Sequence, residues 1–424
     1  WRSLKPRLLT VASWVGYDLD GRSDVRWSDT LRCRMEVEVE QLSIYLHRIR
    51  GLSEQHQDAI SVLPLASSNL NLIEEKIRTT DYAASSDLDL LGAGVESAEE
   101  VQRLGVQLLR SLDVRLIDTG FAVDKLSEII DGCDDTPLVA DLCILRAEMA
   151  NYGLGLAHTH VRLNATQLHN AVRSQLGMEG SPDEAGNRRR NFNELDELFD
   201  NLEPVSINFG SVMAERTSAK RLFMVVAQML KYIDRTQPIR FLIAECDNPF
   251  TILAALFFAR MFGVEEKVDI SPLFETDRAL ERAETVIGKL LANEHYRSYV
   301  EKRGRICIQT GFSDAGRHLG QTAACMAIER LRMKMTRMLS AYEMTGIELL
   351  IFDTHGESIG RGAHPVSFED RLNYVSSPRS RAFFEEAGVR FKQELSFQGG
   401  DGYVFFANEK MAFATVCRLL GNVL

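Results

Sequence analysis

The sequence predicts an α/β protein with a parallel sheet, and two observations support that class. Short apolar runs alternate with helical stretches from residue 239 to 365, and a polar, titratable side chain follows each run. Alternating β/α units form a parallel sheet, which is either open and doubly wound or closed as a barrel. In both architectures the chemistry lies at the carboxyl ends of the strands.

Each predicted strand is short and apolar, which is typical of a strand buried on both faces. The predicted strands are 239–244, 267–274, 305–311 and 347–352. The first strand is followed by a helix that ends near residue 262, and the second and third strands are followed by helices at 277–293 and 319–342. This order places four strand ends at one edge of the sheet.

The part of the chain before these units is different in kind. Residues 28–176 are predicted to be mainly helical, because apolar residues such as Leu42, Tyr45 and Ile49 recur at helical spacing. Residues 180–195 are rich in glycine and polar side chains and contain three consecutive arginines, so we interpret them as a mobile surface loop. We expect residues 1–424 to form a single large domain.

Composition excludes several classes of function. The net charge of −11 argues against a nucleic-acid surface, which needs a basic stripe. The longest apolar run, 250–259, is shorter than the roughly 20 residues that cross a bilayer, so no membrane partner is expected. The seven cysteines include no CxxC pair and are typical of reduced thiols in the cytoplasm. The chain begins with Trp1, without a Met, and we expect further sequence upstream.

The strand ends carry the candidate site. The first predicted strand is followed by Glu245 and Asp247, and Asp247 is interpreted as a helix cap or loop residue. Glu275 and Asp314 follow the next two strands, and two carboxylates at neighbouring strand ends can share a hard divalent cation. The fourth strand leads into a glycine-rich segment that contains Arg361, and such a segment is suited to an anion.

Several segments resemble phosphoenolpyruvate carboxylases in order and spacing. The most specific are Pro272 to Thr276, Gly311 to Asp314 and Ser358 to Gly362; Ser13 to Gly21, Val161 to Thr166 and, more weakly, Gln398 with Gly399 agree as well. The resemblance implies a β/α barrel of the TIM type with large helical additions. It also implies a Mg²⁺ or Mn²⁺ cofactor, phosphoenolpyruvate and bicarbonate as substrates, oxaloacetate as product, and a homo-oligomer.

The resemblance also implies roles for individual residues. Glu275 and Asp314 match the family's metal ligands, and Arg162 matches an arginine that holds the substrate phosphate. Arg361 matches the second arginine of the family's glycine-rich loop, which is linked to anion binding and to an acidic effector.

The departures from the family concern catalysis. The family's catalytic lysine aligns with Arg317 and the acid after it with His318, while the first arginine of the glycine-rich loop aligns with His355. The terminal arginine of a later anion loop aligns with Tyr403, and the family's N-terminal histidine motif has no counterpart. Arginine and lysine differ in pKa and hydration, and histidine carries at most one charge near neutral pH. We therefore expect Arg162, Arg317, His355 and Arg361 to form a weakened catalytic set.

Two other functions remain open at this stage. A catalytically reduced homologue would bind anionic metabolites or protein partners without turnover. A metal-dependent lyase or hydrolase of another barrel family would also show acidic residues at strand ends.

Overall fold

The computed structural model describes residues 2–3, 10–22, 24–178, 180–182, 184, 186–344, 346–354, 368–396 and 405–423. The chain divides into two compact units. The first contains Trp1–Val161, Pro204–Ile239 and Phe262–Lys267, and the second contains Arg162–Glu203, Arg240–Met261 and Val268–Leu424. In the described ranges, no helix combines the length and apolar character needed to cross a membrane.

The first unit is mainly helical. Its helices are α1 Trp27–Gln55, α2 Gln57–Ser61, α3 Pro64–Gly92, α4 Ala98–Ser111, α5 Gly120–Gly132, α6 Thr136–Tyr152, α9 Phe209–Ala214 and α10 Ser218–Tyr232. Local signals begin several of them: Ser97 and Glu100 form a capping box at α4, and the Asp135 side chain accepts from the Leu138 N–H at α6. The apolar faces of α1, α3, α5 and α6 form one buried core. The part predicted to be mainly helical, 28–176, also contains the strand His158–Asn164, after which helix resumes from Ala165 to Leu176.

A buried charge cluster lies inside this helical unit. Arg115 donates from Nη2 to both carboxylate oxygens of Glu38, at 2.9 and 3.0 Å, and from Nη1 to Asp87 at 2.8 Å. All three side chains are fully buried. Burial raises the pKa of Glu38 to about 7 against the opposing charge of Arg115, and it raises the pKa of Asp87 as well.

This cluster predicts a pH dependence of stability. The pKa of Glu38 is about 7 in the folded chain, whereas its ordinary value is 4.5, so the folded state retains a proton that the unfolded chain has lost. The free energy of unfolding should therefore fall as pH rises from about 4.5 to about 7. The Glu38→Gln variant should show a smaller fall, measured as urea midpoints across this range. The exposed Glu99→Gln variant is the control, and a profile of Glu38→Gln that parallels it would contradict the assignment.

The second unit carries most of the sheet. The strands of the chain are β1 Ala12–Ser13, β2 His158–Asn164, β3 Ile239–Ala244, β4 Val268–Phe274, β5 Arg305–Thr310, β6 Glu348–Asp353 and β7 Phe391–Leu395. Their order in the sheet is their order in the chain. The pairs β1 with β2, β4 with β5, β5 with β6 and β6 with β7 are parallel. The predicted α/β class with parallel strands is confirmed.

Helices follow the strands of this unit. They are α7 Ala165–Leu176, α8 Arg188–Phe199, α11 Pro249–Met261, α12 Asp277–Leu291, α13 Glu294–Arg303, α14 Phe312–Leu319, α15 Gln321–Ala341, α16 Phe368–Val375, α17 Pro378–Glu386 and α18 Glu409–Val423. The predicted strands agree with the observed ones to within one residue at each end. The predicted helix 319–342 begins instead at Gln321, because Gly320, with φ of 83°, ends α14 and separates it from α15. Helix α8 begins inside the range 180–195, whose mobility stays a prediction.

Candidate functional site

Glu275 is placed by the junction between β4 and α12. Strand β4 is buried along its whole length, and Glu275 follows its last residue. The next residue, Thr276, caps α12 by accepting from the Ala279 N–H at 3.1 Å. Glu275 is therefore held at the carboxyl end of a buried strand, where the polar side chains of a parallel sheet converge.

Gly311 brings the neighbouring strand end close to Glu275. Its N–H donates to the Phe274 carbonyl at 3.0 Å, and β4 and β5 are in register at Phe274 and Thr310. A Cβ atom at position 311 would lie 2.4 Å from the Glu275 Cβ, so only glycine permits this approach. Asp314 follows in the first turn of α14. Two acids that are 39 positions apart in the sequence thus meet at one edge of the sheet.

The Glu275 and Asp314 side chains are within hydrogen-bonding reach of each other. Burial, together with the hydrogen bond and the charge of Asp314, raises the pKa of Glu275 to about 7, although the Glu245 N–H acts to lower it. The Glu245 N–H donates to Glu275 Oε1 at 3.1 Å. In the described part of the chain, no group of three or more acidic, histidine or cysteine side chains is arranged to hold a metal ion. The acidic part of the site is therefore a carboxylate pair.

Arg162 lies near the carboxyl end of β2. It belongs to β2, two residues before Asn164, whose side chain caps α7 by accepting from the Gln167 N–H at 3.0 Å. The positive charge of Arg162 acts to lower the pKa of Glu275. Arg162 and Asp314 therefore both influence the ionisation of Glu275.

Arg317 also reaches the pair. It lies one helical turn after Asp314 in α14, and its Nη1 is 2.7 Å from Asp314 Oδ1. The Arg317 side chain is 58% exposed, so this ion pair is partly screened by water. At the position that aligns with the family's lysine, the chain therefore has a cation that is already engaged with one of the two acids.

The remaining candidates lie outside the described residues. These are His355, Arg361, the Gln398 and Gly399 pair, and Tyr403. The strand that leads to the first of them is described, and its last residue is Asp353.

The end of β6 is fixed by a buried ion pair that sequence reasoning did not find. Arg332 Nη2 lies 2.8 and 2.7 Å from the two oxygens of Asp353, and the pair is almost completely buried. Asp353 also accepts from Thr310 and, at 3.0 Å, from Gln393. No local pattern distinguishes Arg332 from the other basic residues of α15, because its partner is on a strand 21 residues away.

The fold and the site define a parallel α/β protein with an acidic and a basic group at the carboxyl ends of its strands. The family model for phosphoenolpyruvate carboxylase matches residues 130–368, more than half of the chain. The chain therefore belongs to the phosphoenolpyruvate carboxylase family, and the resemblance noted in the sequence is confirmed.

Curated relatives show how far the chain has diverged. It is 23% identical to the phosphoenolpyruvate carboxylase of Tolumonas auensis over 86% of this chain and 40% of that protein. It is 24% identical to the phosphoenolpyruvate carboxylase of Alcanivorax borkumensis over 90% of this chain and 42% of the relative. It is 26% identical to the phosphoenolpyruvate carboxylase of Pseudomonas aeruginosa over 91% of this chain and 43% of the relative. The chain thus spans less than half the length of these relatives.

Proposed function

We propose that this chain is a divergent phosphoenolpyruvate carboxylase-type protein that binds a divalent cation and a phosphorylated enol acid. The reaction implied by the family is metal-dependent carboxylation of phosphoenolpyruvate with bicarbonate, which gives oxaloacetate and phosphate. The observation that supports the proposal most directly is the close approach of two acid-bearing strand ends, where Gly311, three residues before Asp314, packs against Glu275.

The carboxylate pair fits a hard divalent cation. Mg²⁺ and Mn²⁺ prefer oxygen ligands, and in enzymes Mg²⁺ is usually bound by one or two carboxylates while water and substrate complete its coordination. Asp314 raises the pKa of Glu275, so ionising both carboxyl groups side by side without a cation costs free energy. A cation between them would offset that cost, so Glu275 and Asp314 are the residues that would hold Mg²⁺ or Mn²⁺.

The bound cation and Arg162 would have different roles in the reaction. A bound divalent cation would supply stabilisation of enolate charge. Arg162 would bind the substrate phosphate, since a guanidinium matches phosphate oxygens with two parallel donors. In phosphoryl transfer the protein acts mainly by positioning the reactants and by stabilising the charge that moves with the phosphoryl group. We infer that Arg162 serves both purposes for the phosphate of the enol acid.

Carboxylation can be tested directly. Bicarbonate-dependent oxaloacetate formation would be measured with the 424-residue chain, phosphoenolpyruvate and Mn²⁺. We expect Mn²⁺-dependent binding of phosphoenolpyruvate with turnover well below about 10 s⁻¹, the median of enzymes. The proposal would be contradicted if the chain failed to bind either Mn²⁺ or phosphoenolpyruvate. Turnover at or above that median would show that the substitutions at Arg317 and His355 matter less than we infer.

The Arg317 ion pair favours a second candidate function. Arg317 occupies an oxygen of Asp314. A guanidinium is also a poorer proton carrier than the ammonium of lysine, because arginine stays charged in proteins. A protein with this substitution could retain the binding of anionic metabolites while losing turnover. Binding without oxaloacetate formation in the assay above would support this reduced homologue.

Arg317→Ala should strengthen cation binding, because it frees the Asp314 carboxylate. A partly exposed ion pair contributes about 0 to 1 kcal/mol, so we expect Kd for Mn²⁺ to fall by at most about fivefold. Isothermal titration calorimetry would measure it. Arg278→Ala is the control, since Arg278 is similarly exposed and lies 3.5 Å from Asp247. A weaker affinity for Mn²⁺ in Arg317→Ala than in the control would contradict this prediction.

We also propose that the sheet closes as a barrel in the intact protein. Strands that follow each other in the sheet in chain order, joined by helices, are the arrangement of a β/α barrel. A homo-oligomeric state and an acidic effector near Arg361 remain predictions from the family, and a cytoplasmic location remains a prediction from the cysteine usage.

A further inference from the structure

The backbone of Glu245 has an unfavourable conformation. Glu245 follows the last residue of β3 and has φ of 55°. Residues with a Cβ atom avoid this left-handed region, and among the described non-glycine residues only Leu156 and Glu343 share it. Such conformations persist where the surrounding structure imposes them, and they cluster at functional sites.

The amide of Glu245, at the start of this left-handed turn, faces one acid of the carboxylate pair. The Glu245 N–H donates to Glu275 Oε1 at 3.1 Å. On the other side of β4, the glycine at 311 lets the end of β5 approach Glu275 so closely that a Cβ there would lie 2.4 Å from the Glu275 Cβ. Glu275 is thus constrained from both neighbouring strand ends. The Glu245 side chain itself is exposed.

We propose that Glu245 is a positioning residue whose left-handed backbone holds the Glu275 carboxylate in the orientation that it uses together with Asp314. The inference rests on the proposed cation site and adds the group that orders one of its ligands. Hydrogen-bond partners of a metal ligand fix its orientation and therefore its affinity for the metal. Because the backbone amide does this, the carboxylate of Glu245 has no part in it.

Four variants separate a role of the Glu245 backbone from a role of its side chain and from a general loss of stability. For each variant, Kd for Mn²⁺ would be measured by calorimetry on the whole chain. Glu245→Val should weaken binding about tenfold or more, because a β-branched residue disfavours positive φ and the loss of a partner of a ligand commonly has this size. Glu245→Gln and Glu245→Gly should bind as the wild type does. Glu343→Val is the matched control: φ there is 57°, its thermal midpoint should fall similarly, and its Kd should not change.

Two results would overturn the proposal. In the first, Glu245→Val binds Mn²⁺ as tightly as the wild type, although its thermal midpoint falls by as much as that of Glu343→Val. The other is Glu245→Gln losing as much affinity as Glu245→Val, which would make the Glu245 side chain a ligand.

A second measurement is independent of the cation. With ¹⁵N-labelled glutamate, the amide signal of residue 245 is identified by its disappearance in the Glu245→Gln variant. Glu275→Gln should move this amide proton upfield, because a neutral acceptor forms a weaker hydrogen bond than a carboxylate. If the wild type does not bind Mn²⁺ but the signal moves, the proposed cation site fails and the positioning role stands. An unchanged signal would refute the positioning role.

Discussion

Glu275→Gln should abolish measurable Mn²⁺ binding while the fold remains intact. Hydrogen-bond partners of a metal ligand commonly contribute about 10- to 100-fold to affinity, so removal of a proposed ligand carboxylate should cost more than that. Burial raises the pKa of Glu275 to about 7, so its ionisation opposes folding as pH rises from about 4.5 to about 7. The neutral glutamine removes this cost, and the thermal midpoint at pH 8 should be equal to or above that of the wild type.

The experiment combines Mn²⁺ titration with thermal unfolding. Asp314→Asn should show the same loss of binding, because the site has two acidic side chains within reach of each other. Glu281→Gln, an exposed acid on α12, is the control and should bind as the wild type does. Mn²⁺ binding by Glu275→Gln at wild-type affinity would remove the carboxylate pair from consideration as a metal site.

Arg115→Met should destabilise the first unit by about 3 to 5 kcal/mol. Removal of one member of a buried ionic cluster leaves its partners as uncompensated buried charges, and such losses are of this size. Here both Glu38 and Asp87 would lose their cationic partner, since each accepts from Arg115, and Asp87 would keep the neutral Gln107 amide as a donor. Urea unfolding followed by circular dichroism would measure the change in the free energy of unfolding.

Two further variants make this prediction specific. Arg110→Met removes an exposed arginine of α4 and should change stability little. Arg115→Met combined with Glu38→Gln should recover part of the loss, because one of the uncompensated carboxylates is then neutral. A double variant as unstable as Arg115→Met alone would show that packing of the guanidinium, rather than its charge, is what stabilises the cluster.

The sequence by itself determined the fold class and the strand ends. Buried strands such as β4 are continuous apolar runs, and helix caps such as Thr276 act on residues three positions away. Both signals are local, so they can be recognised without knowing the rest of the fold. The pairing of Glu275 with Asp314 followed from the same logic, because neighbouring parallel strands end at the same edge of a sheet.

Other features depended on contacts between distant residues. Strand β7 has the sequence Phe-Lys-Gln-Glu-Leu, which lacks an apolar run, and it is a strand because it pairs with β6 along its length. The sequence around Arg115 does not distinguish it from the other arginines, because its partner Glu38 lies 77 residues away in the chain. Its burial cannot be read from its neighbours in the chain.

Within the site, the tertiary structure decided how the side chains are used. The sequence identified Arg317 as a substitution for a lysine, whereas the turn of α14 brings it onto Asp314. The sequence placed Glu245 at a strand end, whereas the neighbouring positions of β3 and β4 in the sheet make its amide a donor to Glu275. Local periodicity specifies which face of a segment is buried, but backbone direction and ion pairing at a strand end arise only when the strands have packed against one another.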